Sequence, residues 1–314
     1  MKVLLTGGAG FIGSWVAEAL IADGNEVFII DDLSTGNIEN IPKDANFVEA
    51  DIKDREPLEK IFEDFKPEVV NHHAAQINVR NSVEDPNFDA QVNILGTINL
   101  LELSIKHEIK KFMFASTGGA IYGEPKVIPC IEDTLPAPIS PYGVSKFAVE
   151  QYLNYYKAVH GLSHVVLRYS NVYGPKQNPH GEAGVVAIFC NRIKYGDPCE
   201  IFGDGKQTRD YIYVEDVARA NILSLNAQDV ILNIGTAIET SVNDIVSTLK
   251  RVTNRDVQVV YTPRRSGEVD RIALEIKRAE EFLGWTPHIN LEDGLYQTWE
   301  WFSSEQAGYT TLNK

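Results

Sequence analysis

Short runs of aliphatic and β-branched residues alternate along the first half of the chain with longer stretches of helical periodicity. Val3-Leu4-Leu5, Val27-Phe28-Ile29-Ile30, Phe47-Val48, Val69-Val70, Phe112-Met113-Phe114 and Val165-Val166-Leu167 read as successive strands. Between them, residues 12–21, 58–65, 88–105 and 144–159 repeat apolar positions at helical spacing. Each parallel pair of strands needs a crossover helix, so this alternation predicts an α/β fold with a doubly wound parallel sheet. Ligands of such sheets sit at the carboxyl ends of the strands, which is where chemistry is to be sought.

Past Leu167 the pattern loosens. Gly174-Pro175, Gly196-Asp197-Pro198 and Asp204-Gly205 are turn signals, and helical spacing returns at 244–252, 277–283 and in the aromatic-rich stretch 295–302. Trp299, Trp301 and Phe302 are expected to pack a core rather than stack on a base. No repeat or low-complexity linker separates the halves. The expected division is a nucleotide-binding Rossmann domain over 1–168 and, mainly, a smaller C-terminal α/β substrate-binding domain over 169–314, with some segments returning to the sheet.

Charge narrows the partners. The 314 residues carry 44 acidic and 29 basic side chains, a formal charge of −15, which repels nucleic acid and anionic membrane. Lys110-Lys111 and Arg264-Arg265 are too short to form a polyanion track. No apolar run of about 18 residues exists to span a membrane, and an early Thr6-Gly7-Gly8 cuts the only leader-like stretch. Cys130, Cys190 and Cys199 have neither metal spacing nor an even count, so reduced thiols and a cytoplasmic location are expected, with no metal.

Directly after the first strand comes Gly7-Gly8-Ala9-Gly10-Phe11-Ile12-Gly13, a G-x-x-G-x-x-G loop opening a helix. Gly7, Gly10 and Gly13 let the backbone turn tightly and approach a pyrophosphate, whose charge the helix N-terminus at Phe11 and Ile12 receives. Eighteen residues after Gly13 the second strand ends in Asp31-Asp32. A carboxylate there accepts both hydroxyls of an adenosine ribose and repels a 2′-phosphate; with no Lys or Arg between Asp32 and Lys43, the expected cofactor is NAD rather than NADP. Asp51 and Ile52 after the third strand fit an adenine pair, although Asp51 equally fits a helix-entry cap. Ala74 and Ala75 after the fourth strand offer a small-residue passage beside the cofactor phosphates.

Ser140-Pro141-Tyr142-Gly143-Val144-Ser145-Lys146 places a phenol and an ammonium four residues apart at a helix start, with Ser140 as N-cap. A neighbouring ammonium favours the phenolate and is expected to draw the Tyr142 pKa down from about 10 towards neutrality, making it a general base. After the fifth strand, Ser116 or Thr117 offers a hydroxyl to share the substrate proton; spacing does not choose between them.

Together with Gly118-Gly119-Ala120-Ile121-Tyr122-Gly123, the 167–175 segment Leu-Arg-Tyr-Ser-Asn-Val-Tyr-Gly-Pro and Arg209-Asp210-Tyr211-Ile212-Tyr213-Val214, these motifs resemble the extended short-chain dehydrogenase/reductase family, nearest its UDP-glucose 4-epimerases. The resemblance runs from Met1 to about Trp285. It implies an NAD-dependent isomerase interconverting UDP-glucose and UDP-galactose through transient oxidation at C4. It further implies Tyr142 as base, Lys146 on the nicotinamide ribose, Thr117 on the hexose, Asn93 facing the cofactor, and Tyr169 with Ser170 lining the nicotinamide. Asn171, Arg209 and Arg265 match positions that bind the nucleotide diphosphate, and Glu268 one that meets the uridine ribose. The family's two-fold four-helix interface implies a homodimer through residues 88–105 and 144–159. Competing readings are a UDP-GlcNAc/UDP-GalNAc or UDP-uronate 4-epimerase, a nucleotide-sugar 4,6-dehydratase, and a non-catalytic NAD-sensing protein. Gly118-Gly119 disfavours the dehydratase, whose relatives carry Asp-Glu there, and residues 269–273 are expected to set acceptance of N-acetylated sugars, with Ile272 and Ala273 not large.

Overall fold

The computed structural model describes residues 1–180, 184–264 and 269–304. Its strands in chain order are β1 Lys2–Thr6, β2 Glu26–Asp31, β3 Asn46–Glu49, β4 Val69–His72, β5 Lys111–Thr117, β6 Ser163–Tyr169, β7 Asn171–Tyr173, β8 Cys199–Phe202, β9 Thr208–Arg209, β10 Tyr211–Tyr213, β11 Val230–Ile234, β12 Thr240–Ser241 and β13 Val259–Thr262. The helices are α1 Phe11–Ala22, α2 Arg55–Phe65, α3 Val79–Glu84, α4 Pro86–Ala90, α5 Thr97–Lys106, α6 Gly118–Ile121, α7 Pro141–His160, α8 Val185–Tyr195, α9 Val214–Ser224, α10 Val242–Thr253, α11 Lys277–Leu283 and α12 Leu291–Ser303.

Seven strands form one parallel sheet in the order β11-β6-β5-β4-β1-β2-β3. The chain winds outward from β1 in one direction through β2 and β3 and in the other from β4 onward, so the connections diverge between β1 and β4. That divergence leaves a crevice beyond the strand ends, into which Gly7, Ala74 and Thr117 lead. The pleat sends Val3 and Leu5 into the core under α1 and α9, and Leu4 into the core under α2, α5 and α7. A third core joins α8, α10 and α12, where Trp299 and Phe302 are buried. Each expected strand is present, so periodicity alone placed the first half of the sheet.

The segment after Leu167 is more regular than its pattern suggests. Helix α9 packs on the sheet and β11 pairs with β6, carrying residues 230–234 back into the nucleotide-binding sheet. Helix α9 escapes hydrophobic periodicity because its buried face includes Asp216, Asn221 and Ser224. These polar groups are all satisfied: Asp216 accepts from His288 and Ile289 N–H at 2.9 and 3.0 Å, and Ser224 donates to the Ala220 carbonyl at 2.7 Å. The stretch 88–105 likewise proves to be α4 and α5 joined by a π-helical turn, Gln91–Gly96. Such turns widen a helix locally and often mark functional sites.

Among the described residues, no helix is long and apolar enough to cross a membrane, and no group of three His, Cys, Asp or Glu side chains could hold a metal ion. Cys130, Cys190 and Cys199 are buried and unpaired with one another.

Two adjacent histidines make stability depend on pH. His72 bridges Thr6 Oγ1 and Thr97 Oγ1 at 2.7 and 2.8 Å, and His73 stacks on Tyr169. Burial, and then the Lys146 charge, lower both, His73 from 6.5 to about 3. Between those two values the unfolded chain binds the proton that the folded chain refuses, so stability falls as pH drops below about 6.5 and continues to fall towards 3. Burial raises the Asp31, Asp210 and Glu132 carboxyls, which act in the opposite sense, so the His73 contribution is isolated by comparison. His73→Phe should flatten the slope of melting temperature against pH between 6.5 and 4 relative to wild type; parallel slopes would remove His73 from the account.

Candidate active site

The glycine loop is held by contacts no side chain would permit. Gly7 has φ +73°, and a Cβ on it would lie 2.6 Å from the Ala74 nitrogen; a Cβ on Gly13 would lie 2.0 Å from the Gly7 oxygen. Gly10 is the N-cap of α1 and brings no capping side chain, so the first-turn N–H groups at Phe11, Ile12 and Gly13 and the positive helix end face the crevice. Asp31 closes β2 and accepts the Ala9 and Leu33 N–H groups at 3.0 and 2.9 Å. Burial raises its carboxyl above the ordinary value despite those bonds. Asp32, in contrast, is exposed and occupied with Ser34 N and Oγ at 3.0 and 2.6 Å. Of the two carboxylates only Asp31 is embedded at the loop.

Asp51 accepts Lys53 N–H at 2.8 Å and pairs with Lys53 Nζ at 3.3 Å, while the N-cap of α2 is Asp54. The helix-cap reading of Asp51 therefore does not hold. Ile52 is buried against Gly96, whose hypothetical Cβ would meet it at 2.7 Å. Ala74 donates its N–H to Thr6 Oγ1 at 3.2 Å, and with Ala75 it begins the crossover opposite Gly7. Asn93 lies in the π-helical turn, buried, with its carboxamide committed. Its oxygen accepts Gln76 N–H at 2.9 Å, and its nitrogen donates to Gln76 O at 2.9 Å and Asp89 Oδ1 at 3.0 Å. Asn93 thus shapes the loop after Ala75 through Gln76 rather than presenting a free amide.

Helix α7 starts as its sequence dictates, with Ser140 Oγ accepting Gly143 N–H at 3.2 Å and Pro141 in the first turn. Tyr142 and Lys146 share a face, the Lys146 nitrogen lying 6.0 Å from the Tyr142 ring centre and 4.8 Å from that of Phe114. Lys146 donates to the Ala115 carbonyl at 3.0 Å. The hydroxyl that reaches the phenol is that of Thr117, whereas Ser116 donates to Glu150 at 2.6 Å. Ser116 is thereby turned into the core, whereas the Thr117 hydroxyl bears on the phenol.

The electrostatics differ from the sequence expectation. Burial raises the Tyr142 phenol well above 10 and the Asp89 carboxylate adds to it, with only the Thr117 hydrogen bond pulling back. Burial also lowers Lys146 from 10.5 to about 8. Desolvation of both groups outweighs their mutual attraction, so the ammonium by itself does not make this phenol acidic.

Asn171 opens β7. A Cβ on Gly119 would lie 3.6 Å from Asn171 Oδ1 and 3.8 Å from Thr117 Oγ1, so amide and hydroxyl border the same small space. At Gly118 a Cβ would meet Leu274 Cδ1 at 2.4 Å, so a larger residue there requires the Leu274 side chain to move. Ser170 has a buried hydroxyl with no partner. Tyr169, stacked on His73, accepts from Asn221 at 2.8 Å and meets His73 Nε2 at 3.1 Å, so its hydroxyl is engaged beneath the crevice. Arg209 is half-buried and donates to the Thr208 carbonyl at 2.8 Å. Arg265 and Glu268 lie outside the described residues. Of the stretch expected to set sugar breadth, Val269, Ile272 and Ala273 are buried, and Arg271 forks onto Glu239 at 2.9 and 2.5 Å.

The residues present fit a dinucleotide. A Cβ on Gly7 or Gly13 would strike backbone, the α1 N-terminus follows the loop, and the unpartnered Ser170 hydroxyl lies just past the end of β6. Sequence reading missed Glu150, Arg168 and Asn221, because buried polar residues carry no periodic signature; only Glu150, four residues after Lys146, stood where spacing hinted at it.

Comparison with known proteins agrees with this geometry. A family model described as the NAD dependent epimerase/dehydratase family matches residues 3–235. A crystal structure of UDP-glucose 4-epimerase from Thermotoga maritima with UDP-glucose superposes with TM-score 0.95 at 50% identity, covering 96% of this chain and 98% of that one. The Thermus thermophilus UDP-glucose 4-epimerase in complex with NAD gives TM-score 0.93 at 43% identity, covering 97% and 100%. The UDP-glucose 4-epimerase of Mycolicibacterium smegmatis is 42% identical, covering 97% and 99%.

Proposed function

The chain belongs to the NAD-dependent epimerase/dehydratase family, and on that premise we propose that it interconverts UDP-glucose and UDP-galactose with NAD held throughout the cycle. One observation carries the reading: the Tyr142 phenol, the Thr117 hydroxyl and the Lys146 ammonium converge where β5 ends, across the crevice from the glycine loop.

When bound, NAD would supply the hydride acceptor for carbon 4 and a positive charge favouring a phenolate. Tyr142 takes the proton of the 4-hydroxyl as general base and gives it back as general acid. Thr117 hydrogen-bonds the same oxygen and keeps it in line with the phenol. Lys146, anchored by the Ala115 carbonyl, would hold the nicotinamide ribose. Asp31 takes the adenosine ribose, with Asp51 and Ile52 at the adenine and Ser170 beside the nicotinamide. Asn171 and Arg209, with Arg265 and Glu268, bind the UDP. Binding energy placed on the nucleotide leaves the 4-keto hexose free to turn before hydride returns to its other face. The NAD site is formed chiefly by residues 1–168 and the UDP-sugar site by 169–314.

The competing dehydratase needs an acid and a base after the hydroxyl residue, where this chain has Gly118-Gly119. Incubation with UDP-galactose and no added NAD is expected to yield UDP-glucose. A 4-keto-6-deoxy product would transfer the chain to the dehydratases, and no product would leave a binding protein. UDP-GlcNAc in a parallel reaction reads its sugar breadth.

The assembly we propose is a two-fold homodimer in the cytoplasm. Leu95, Val144, Tyr152, Tyr155 and Val159 stand exposed along the π-helical turn and α7, the faces such a pairing would cover.

A further inference from the structure

We infer that the buried cluster of Ser116, Glu150 and Arg168 is a positioning device for the epimerisation proposed above, setting the spacing between Thr117, Tyr142 and Lys146. The inference rests on that reading of the site. The Arg168 and Glu150 side chains are 3% and 0% exposed. The guanidinium forks onto the carboxylate, Nε to Oε1 at 3.0 Å and Nη2 to Oε2 at 2.6 Å, and Ser116 Oγ donates to Oε1 at 2.6 Å. Arg168 Nη1 also donates to the Tyr122 hydroxyl at 2.8 Å and the Glu132 carbonyl at 3.0 Å.

Ser116 and Glu150 are tied to the reactive groups, and Arg168 joins them from the adjacent strand. Ser116 precedes Thr117 on β5, Arg168 precedes Tyr169 on β6, and the register pairs Ser116 with Arg168 and Thr117 with Tyr169. Glu150 lies on α7 one turn beyond Lys146 and two turns beyond Tyr142, and so on their face of the helix. The carboxylate therefore bolts the helix that carries base and ammonium to the strand that carries the catalytic hydroxyl, with the guanidinium closing the joint from the next strand. Stability alone does not account for it. Well-packed apolar residues commonly replace a buried ion pair without loss, whereas removal of one partner strands a charge. What an apolar pair cannot reproduce is a directional link among three elements, and displacing a reacting group by about 1 Å costs on the order of 10²-fold in rate.

The test is the Arg168→Met, Glu150→Met double variant beside wild type, measured as holoenzyme for melting temperature, NAD content, kcat and KM with UDP-galactose. The double variant should melt close to wild type and retain NAD, with KM little changed and kcat lower by about tenfold or more. Wild-type kcat in a stably folded double variant overturns the inference. Should the double variant fail to fold, Ser116→Ala removes only one hydroxyl; kcat should fall several-fold and return in Ser116→Thr, and an unaffected Ser116→Ala would overturn the inference. Wild type that does not convert UDP-galactose defeats the epimerase reading instead. The positioning claim is then read from crystal structures: Thr117 should move away from the phenol in the variant, and an unmoved Thr117 contradicts it.

Discussion

Tyr142→Phe should lower kcat for UDP-galactose by about 10³-fold or more while the protein keeps its NAD and its melting temperature. The substitution removes one oxygen and retains the ring that lies beside Lys146. In the folded protein burial, with Asp89 adding to it, raises the phenol well above its ordinary value and keeps it neutral, so its loss removes no charge and leaves the ring's packing in place. What disappears is the oxygen proposed to take the proton of the 4-hydroxyl, the one on which the Thr117 hydroxyl bears. Steady-state kinetics combined with NAD extraction separates the cases. Wild-type turnover would reject Tyr142 as base, and lost NAD would make the tyrosine a cofactor anchor.

Gly13→Ala should be nearly as damaging by a different route. The new methyl group would lie 2.0 Å from the Gly7 oxygen and 2.8 Å from the Gly7 carbonyl carbon, both backbone atoms that no rotamer change can withdraw. Relief requires the loop to move off Ala74, against which Gly7 is already seated. Overpacking of this kind costs about 3 kcal/mol, a fall of roughly 4–5 °C in melting temperature for a chain of this size. Because the same loop is the proposed pyrophosphate cradle, the purified variant should also lack NAD. A thermal melt and a cofactor assay check both, and a variant that melts and binds like wild type would mean the loop is not packed as described.

The sequence carried the architecture of the first half because those strands and helices follow apolar periodicity, and it carried the ends of the site because glycine loop, Asp31 and Tyr142-x-x-x-Lys146 are local patterns. It did not carry α9, whose core face includes Asp216 and Asn221, nor the π-helical turn that spends Asn93 on Gln76. Both are decided by which buried polar group finds which partner, often more than a hundred residues away, as Asn71 finds Asn221 at 3.1 Å. That Ser116 is spent in the core was invisible for the same reason, since Glu150 claims it from helix α7 and Arg168 holds Glu150 from β6. The Tyr142–Lys146 pair misled in energy rather than in place: proximity in sequence announces the attraction between two groups, but not the desolvation each pays on burial.

That balance returns to the central claim, that hydride leaves carbon 4 for a cofactor that never departs and comes back to the same sugar. The measurement that meets it most directly is conversion of UDP-galactose carrying deuterium at carbon 4, with no added NAD, followed by mass and NMR analysis of the UDP-glucose formed. The account predicts that deuterium remains at carbon 4 of the product. Product formed with hydrogen from water at that position would contradict it.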